Sequence, residues 1–195
     1  MYPSSLNKDV SVFLVVTEVI GPLLSCYSLT KDALFLEKAQ EVAYMLEPAY
    51  RSLYSLPFKK FNPSTRVAFG EEVFLGEVGG QHLEYYYLHS LTKKAVFSRR
   101  FTEIRQQLVR LPKSKKGLYL SELDILSVEW SDSTSTFFRP SSTFYSYLVK
   151  AYYQSGGTDQ QALEMYQQAI QAATRNFMFN TSVADLMVSR AFYLR

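Results

Sequence analysis

The sequence contains few thiol or imidazole groups that could act as nucleophiles, bases or metal ligands. It has one cysteine, Cys26, and two histidines, His82 and His89. A single cysteine excludes an intrachain disulfide and a cysteine-based metal cluster, and its apolar surroundings predict a buried, inert thiol. The histidines share one helix face because they are seven residues apart, but a zinc site needs a third ligand. We therefore predict no metal site.

The basic residues do not form a pattern typical of nucleic-acid binding. The chain has 21 Lys and Arg against 18 Asp and Glu, a formal net charge of +3. Its dense basic run, formed by Lys113, Lys115 and Lys116, lies among Pro, Ser and Gly residues and predicts a solvated loop rather than a phosphate site. Nucleic-acid binding would require basic residues clustered on one face, so we predict no such partner.

The remaining candidates for chemistry are carboxylates and aromatic rings. Glu77 and Glu84 are seven residues apart and share a helix face, where such pairs either form surface ion pairs or contact a ligand. The three tyrosines at 85–87 and Trp130 could stack on sugar rings, although helical aromatic runs also belong to cores and a loop tryptophan can be a hydrophobic anchor. The sequence leaves both interpretations open.

An internal repeat indicates how the elements that carry these residues are arranged. The segment LTKDALF at 29–35 recurs as LTKKAVF at 91–97, a shift of 62 residues (91 − 29). A further 62 residues leads to Tyr153, where YQSGGTDQQALEMY makes the same kind of break. Each time an apolar, aromatic-rich segment is followed by a polar turn and an amphipathic segment, which is typical of repeated helical hairpins.

Hydrophobic spacing predicts helices that pair as three αα-hairpins. Leu34, Phe35 and Ala39, for example, recur at helical spacing on one side of the segment 32–46. Asp159 is a predicted N-cap, and the glycine pair at 156–157 a predicted helix stop. The predicted helices cover 10–28, 32–46, 73–91, 95–111, 139–154 and 159–177, in hairpins at about 10–48, 73–111 and 139–177.

The predicted fold is all-α and of the α/α toroid type, as a single domain over 1–195. One helix of each pair is apolar on nearly all sides and the other is more amphipathic, which suits an inner and an outer ring. The segments 117–120 and 123–130 predict a small β-hairpin within a long loop.

The first predicted helix raises a targeting question. Residues 10–26 are strongly apolar, but they contain Glu18 and Pro22, and no cluster of positive charge precedes them. The stretch is also short for a membrane span of about 20 residues. A buried helix is favoured over a signal anchor, so the sequence gives no clear signal peptide.

Several blocks of the sequence occur in a recognisable order. VSVFLVVTEVIGPLLSCYSLTKDALF at 10–35 is followed by LPFKKFNPST at 56–65 and GEVGGQHLEYYYLHSLT at 76–92. KKGLYL at 115–120 and SSTFYSYLVKAY at 141–152 complete the set. In order and spacing these blocks resemble the class I α-1,2-mannosidases, glycoside hydrolase family 47, from about residue 10 to 177.

The resemblance implies an (α/α)7 barrel, of which this chain would form about three hairpins as an N-terminal portion. It also implies inverting hydrolysis of α-1,2-linked mannose on N-glycans, with calcium at the barrel base. Such hydrolysis needs an acid that protonates the leaving oxygen and a carboxylate that activates water, roughly 6.5–9.5 Å apart. The base and the calcium-binding threonine would belong to a C-terminal half outside this chain, so we expect no calcium to bind here.

Most charged positions of the family's motifs are replaced. The acid-bearing Glu falls on Leu14, and the Arg four residues on falls on Glu18. In the third hairpin the family's Asp falls on Ser142 and its Glu on Ser146. The resemblance implies a sugar-site role for Glu77, whereas no catalytic residue is assigned in this chain. The other surviving motif residues are Glu84, Asn62 and Pro57.

The sequence is compatible with three functions. The chain is a degenerate and inactive α-mannosidase homologue, or it is an active variant that uses Glu18 and Glu77 as its carboxylates. The third hypothesis is a non-catalytic module that binds mannose glycans or a client protein.

The resemblance also implies partners and a location. The implied partner is a high-mannose N-glycan or glycoprotein. The implied location is the secretory pathway, in the lumen or membrane of the ER or Golgi. Asn180-Thr181-Ser182 is an N-glycosylation sequon that has meaning only in that pathway. Three hairpins of a seven-hairpin ring would expose apolar helix faces at two edges, which predicts self-association.

Overall fold

The computed structural model describes residues 7–114, 117–135, 137, 141–180 and 187–189, and most of them are helical. The last two residues of the sequon, and Lys115 and Lys116 of the basic run, lie outside this set. The helices are α1 (Val12–Thr30), α2 (Ala33–Met45), α3 (Leu75–Gly79), α4 (His82–Thr92), α5 (Ala95–Arg110), α6 (Ser142–Gln154) and α7 (Gln160–Phe177).

The helices form an inner and an outer layer. Helices α1 and α2, α4 and α5, and α6 and α7 pack as consecutive hairpins. Within the inner layer α1 packs against α4, α4 against α6, and the short α3 against α6. The predicted α/α arrangement is therefore confirmed.

Local chemistry explains several helix ends. The Asp32 side chain accepts a hydrogen bond from Leu34 N–H (2.9 Å) at the start of α2, and the Asp159 side chain accepts one from Ala162 N–H (3.0 Å) at the start of α7. The two copies of the repeat end α1 and α4 in the same way, because Lys31 and Lys93 both adopt the left-handed conformation. In the third hairpin the predicted glycine stop at 156–157 takes this place.

Short strands connect the hairpins. The strands β1 (Val10–Ser11), β2 (Lys60–Asn62) and β3 (Val67–Phe69) form one antiparallel sheet in that order. A second antiparallel sheet consists of β4 (Glu72–Phe74), β5 (Glu122–Asp124) and β6 (Glu129–Trp130). The strands β7 (Met178–Asn180) and β8 (Met187–Ser189) pair with each other.

Some predicted boundaries are wrong. The predicted helix at 73–91 begins instead as strand β4, in which Val73 pairs with Leu123 of β5, and it is interrupted at Gly80 and Gln81 between α3 and α4. The predicted β-hairpin forms from β5 and β6, whereas in the segment 117–120 only Leu120 makes an isolated bridge, to Ser135. Pairing partners distant in sequence decide both differences.

Burial follows the predicted hydrophobic pattern with two differences. The predicted inward positions Ala39, Leu46 and Leu88 are fully buried. Leu34, by contrast, is 52% exposed, because it lies in the first turn of α2. Cys26 is only partly buried rather than enclosed in the core.

Helix α1 has an unusual composition and geometry. It contains a π-helical segment, Val16–Ile20, between two α-helical parts. Among the described residues it is also the helix whose length and apolar composition would suffice to cross a membrane. The core helix of a soluble protein and a signal sequence both meet that criterion, and here α1 packs against α2 and α4.

Candidate functional site

The first turns of the three inner helices meet at Gly80. A Cβ atom at Gly80 would lie 2.6 Å from Cγ2 of Thr143 and 3.1 Å from Cε2 of Phe13. Phe13 precedes Leu14 in α1, and Thr143 follows Ser142 in α6. The fold therefore brings together the three helix starts that carry Leu14, Glu77 and Ser142.

The α1 part of this site carries no proton donor at the motif position. Leu14 is 46% exposed even though it is a large apolar residue. Its backbone N–H donates to Oγ of Ser11 (3.3 Å), which caps the helix. Glu18, one turn further along, is exposed. At this end of α1 the exposed hydrocarbon side chain of Leu14 is thus followed, one turn later, by the carboxylate of Glu18.

The α3 part of the site carries a carboxylate that also serves its own helix. Oε2 of Glu77 accepts a hydrogen bond from the backbone N–H of Phe74 (3.3 Å), at the residue that precedes α3. Oε1 of Glu77 accepts none of the hydrogen bonds that the structure describes. The half-buried Glu77 therefore has one oxygen fixed by the backbone and one available to a ligand.

A buried amide supports the break between α3 and α4 beside this carboxylate. Gln81 donates from Nε2 to the carbonyl of Glu77 (2.7 Å) and accepts from the hydroxyl of Tyr50. It is 2% exposed, so both contacts are shielded from water. Gln81 thereby holds the backbone of Glu77 in place.

The α6 part of the site carries hydroxyl groups, those of Ser142 and Ser146, at the positions where the resemblance led us to expect acids. Oγ of Ser146 donates to the backbone carbonyl of Thr143 (2.9 Å) within the same helix. Ser142 and Ser146 are both half-buried. Neutral hydroxyls can donate hydrogen bonds to a sugar, but neither serine can supply a carboxylic proton.

We call the surface formed by the inner helices α1, α3, α4 and α6 the inner wall. Further along this wall, Glu84 of α4 joins two helices through a contact with α6. The hydroxyl of Tyr147 donates to Oε1 of Glu84 (2.8 Å), whereas the buried Oε2 has no hydrogen-bond partner among the described residues. Burial raises the pKa of Glu84, and the hydrogen bond from Tyr147 opposes that shift. Glu84 also lines a cavity of about 370 Å³ together with Thr17, Ser25 and Gln154.

The described residues do not fit a calcium site built from side chains. Calcium takes six to eight oxygen ligands, usually including several carboxylates. Across the part of the chain that the structure describes, no three His, Cys, Asp or Glu side chains come close enough to hold a metal ion. No step below is therefore assigned to calcium.

The aromatic candidates are mostly structural. Tyr85 is 1% exposed and packs edge-on against Tyr50. The indole N–H of Trp130 donates to the carbonyl of Pro112 (2.7 Å), and its ring contacts Tyr119. The anchor interpretation of Trp130 is the one that these contacts favour, and only Tyr87 of the three tyrosines lines the cavity that contains Glu84.

A buried polar cluster on the opposite side of α4 could not be identified from the sequence. Arg105 of α5 donates to Nδ1 of His82 (3.0 Å) and to both carboxylate oxygens of Asp159 (3.2 and 3.3 Å). Burial, followed by the charge of Arg105, lowers the pKa of His82 to about 3. No local spacing relates the three residues, since they belong to α4, α5 and the N-cap of α7.

The geometry described above has counterparts among known proteins. The sequence profile of glycosyl hydrolase family 47 matches residues 2–193. The chain is 34% identical to mannosyl-oligosaccharide alpha-1,2-mannosidase IA of Spodoptera frugiperda over 178 residues, which cover 89% of this chain and 26% of that protein. It is 31% identical to human mannosyl-oligosaccharide 1,2-alpha-mannosidase IB over 180 residues, 89% of this chain and 28% of the human protein.

The fold is shared with a solved structure of the same type. The alpha-1,2-mannosidase from Trichoderma reesei superposes with a TM-score of 0.86 at 19% sequence identity, over 96% of this chain and 42% of that one. At this identity the match establishes the fold. The chain spans about a quarter of the length of the insect and human proteins.

Proposed function

Because this chain belongs to glycosyl hydrolase family 47, we propose that it binds high-mannose N-glycans without cleaving them. The proposal combines a family whose named members above act on mannosyl-oligosaccharides with a site that has lost its acid positions. Glu77 is the proposed sugar-contacting residue, and no catalytic residue is proposed.

The exposed Leu14 at the meeting point of the inner helices carries the proposal. Protonation of a glycosidic oxygen requires a group with an exchangeable acidic proton in hydrogen-bond reach. Leu14 presents only hydrocarbon at 46% exposure, and Ser142, at the start of α6, offers a neutral hydroxyl. The two side chains at the expected acid positions, Leu14 and Ser142, therefore have no carboxylic proton to give to a glycosidic oxygen.

The polar groups that remain are of the kind that bind sugar hydroxyls. Carboxylate oxygens accept hydrogen bonds from hydroxyls, and charge-assisted bonds of this type are stronger than neutral ones. Oε1 of Glu77 and the hydroxyl of Ser142 make none of the hydrogen bonds that the structure describes, so both are available to a ligand. Such a ligand would place the chain in the secretory pathway, where N-glycans are assembled.

We expect the purified chain to release no mannose from a high-mannose oligosaccharide such as Man9GlcNAc2. The measurement is mass spectrometry of the glycan after incubation with calcium or with a chelator, beside an active family 47 enzyme as a positive control. Calcium-dependent, chelator-sensitive release of mannose would overturn the proposal. A Glu18→Gln variant would then show whether Glu18 takes part in that reaction.

We expect Glu77→Gln to weaken binding of the same oligosaccharide by roughly 10- to 100-fold, because a hydrogen bond to a charged group contributes about 1.5–3 kcal/mol. The amide oxygen of Gln can still accept from Phe74 N–H, so the start of α3 is preserved. Binding is measured by isothermal titration calorimetry. Glu72→Gln, at an exposed carboxylate of β4, is the matched control and should bind like the wild type.

The two outcomes of this binding experiment separate the remaining hypotheses. Weakened binding in Glu77→Gln alone supports a glycan-binding role for the inner wall. Absence of glycan binding by the unmodified chain would contradict the proposal and would leave a role in binding a protein partner.

A further inference from the structure

A second polar cavity lies on the outer side of α4, separate from the inner wall described above. It has a volume of about 360 Å³, is open to solvent, and is lined by residues of α4, α5, the turn between α6 and α7, and the start of α7. This volume is within the roughly 300–1,000 Å³ of small-molecule pockets. None of Leu14, Glu77, Glu84 or Ser142 contributes to its lining.

The imidazole of His82 presents an unused donor at this cavity. Because Arg105 donates to Nδ1 of His82 (3.0 Å), that nitrogen must accept and the ring proton resides on Nε2. The Nε2–H group donates to no acceptor among the described residues. His82 is 8% exposed and lines the cavity, and its Nε2 is not one of the fully buried polar atoms without a partner, so this donor keeps some accessible surface. A ligand oxygen that enters the cavity can accept from this N–H in place of water.

The charges at the cavity favour a neutral ligand. Arg105 is the cationic group of the lining and Asp159 the anionic one, and they are paired with each other at 3.2 Å. An anionic ligand would approach Asp159, and a cationic ligand would approach Arg105, so either charge meets repulsion as well as attraction. The low pKa of His82 keeps its imidazole uncharged at neutral pH.

The remaining lining combines aromatic faces with free amides. Tyr86 and Phe101 contact each other with ring centroids 5.5 Å apart, and both line the cavity. The side-chain amides of Gln106 and Gln161 also line it and make none of the hydrogen bonds that the structure describes. Aromatic surface beside donors and acceptors matches a pyranose ring, which has apolar C–H faces and a rim of hydroxyls.

We propose that this outer cavity, formed by His82, Tyr86, Phe101, Arg105, Gln106 and Asp159, binds a neutral pyranose residue. A sugar hydroxyl or ring oxygen accepts from Nε2–H of His82, the aromatic rings contact a C–H face, and the amides bind the outer hydroxyls. This site is separate from the proposed contact at Glu77, because Glu77 belongs to α3 and does not line the cavity.

The proposal is tested with the purified chain and methyl α-D-mannopyranoside as the probe. In NMR titrations we expect saturable shifts of the His82 ring signals and of the Tyr86 and Phe101 ring signals. Gln106→Trp fills the cavity from an exposed helix position. It should lower the affinity for the probe, as obtained from these shifts, at least tenfold. Gln167→Trp, the same replacement at an exposed position of α7 away from the cavity, should bind like the wild type.

Two further readouts make the result decisive. Glu77→Gln should leave the shifts at His82 unchanged, so failure of the glycan proposal at the inner wall would not affect this one. If the ring signals of His82, Tyr86 and Phe101 do not shift at high probe concentration, the proposal is overturned, whether or not the probe shifts signals at another site. Equal affinity of Gln106→Trp and the wild type for the probe would overturn it as well.

Discussion

Replacing Gly80 by alanine is expected to destabilise the protein by about 3 kcal/mol, the upper part of the usual range for overpacking. The added Cβ would lie 2.3 Å from the backbone carbonyl oxygen of Gly76 and 2.6 Å from Cγ2 of Thr143. Neither neighbour can move easily, because one is main chain and the other belongs to a packed inner helix. The loss should appear as a lower midpoint in urea with an unchanged slope.

The matched control is the same substitution at Gly21 in α1. There the added Cβ would meet Cγ of Glu84 at 3.6 Å, an ordinary contact. Alanine favours the helix over glycine by about 1 kcal/mol, so Gly21→Ala should leave stability unchanged or raise it. Equal effects of the two substitutions would contradict the close approach of the inner helices at Gly80.

The second expected result is a loss of stability in mild acid that depends on His82. The folded-state pKa of His82 is lowered to about 3, first by burial and then by the charge of Arg105, whereas the unfolded value is about 6.5. Between these values the unfolded chain binds a proton that the folded chain excludes. This contribution is therefore fully favourable above pH 6.5 and is lost as the pH falls, by about 1.4 kcal/mol from pH 7.5 to 5.5.

The variant His82→Asn tests this dependence directly. Its side-chain oxygen can accept from Arg105 in place of Nδ1, and it carries no titrating proton in this range. The variant should therefore lose less stability than the wild type between pH 7.5 and 5.5, as measured by urea unfolding at each pH. Glu84, whose pKa is raised by burial, acts in the opposite direction, but it is present in both proteins.

His89→Asn removes the other imidazole and is the matched control for this comparison. It should retain the pH dependence of the wild type. Parallel stability curves for His82→Asn and the wild type would contradict the assignment of the acid loss to His82.

The parts of the fold that were predictable depend on neighbouring residues. The N-caps Asp32 and Asp159 act on amides two or three residues away, and Lys31 and Lys93 occupy equivalent positions of a repeat visible in the sequence. Each of these helix ends depends on local chain geometry, and residue type and spacing in the sequence are enough to predict it. The helices and their hairpin order were predictable for this reason.

The parts that were not predictable depend on contacts between distant residues. The break at Gly80 lies where Phe13 and Thr143, on two other helices, approach the backbone closely. The partner of Glu84 is Tyr147, 63 residues later, and the partners of Arg105 are 23 and 54 residues away. Spacing alone cannot identify such pairs. The expected replacement of acids by Leu14 and Ser142, in contrast, could be predicted because it depends on residue identity alone.

The carboxylate of Asp159 has two structural roles, one within its own helix and one between two hairpins. It caps the first turn of α7 and also pairs with Arg105 of the preceding hairpin. The third hairpin can therefore not fray at the start of α7 without also releasing a buried guanidinium of the second. We therefore expect amide protons at the start of α7 to exchange with solvent more slowly than those at a helix start without such an ion pair.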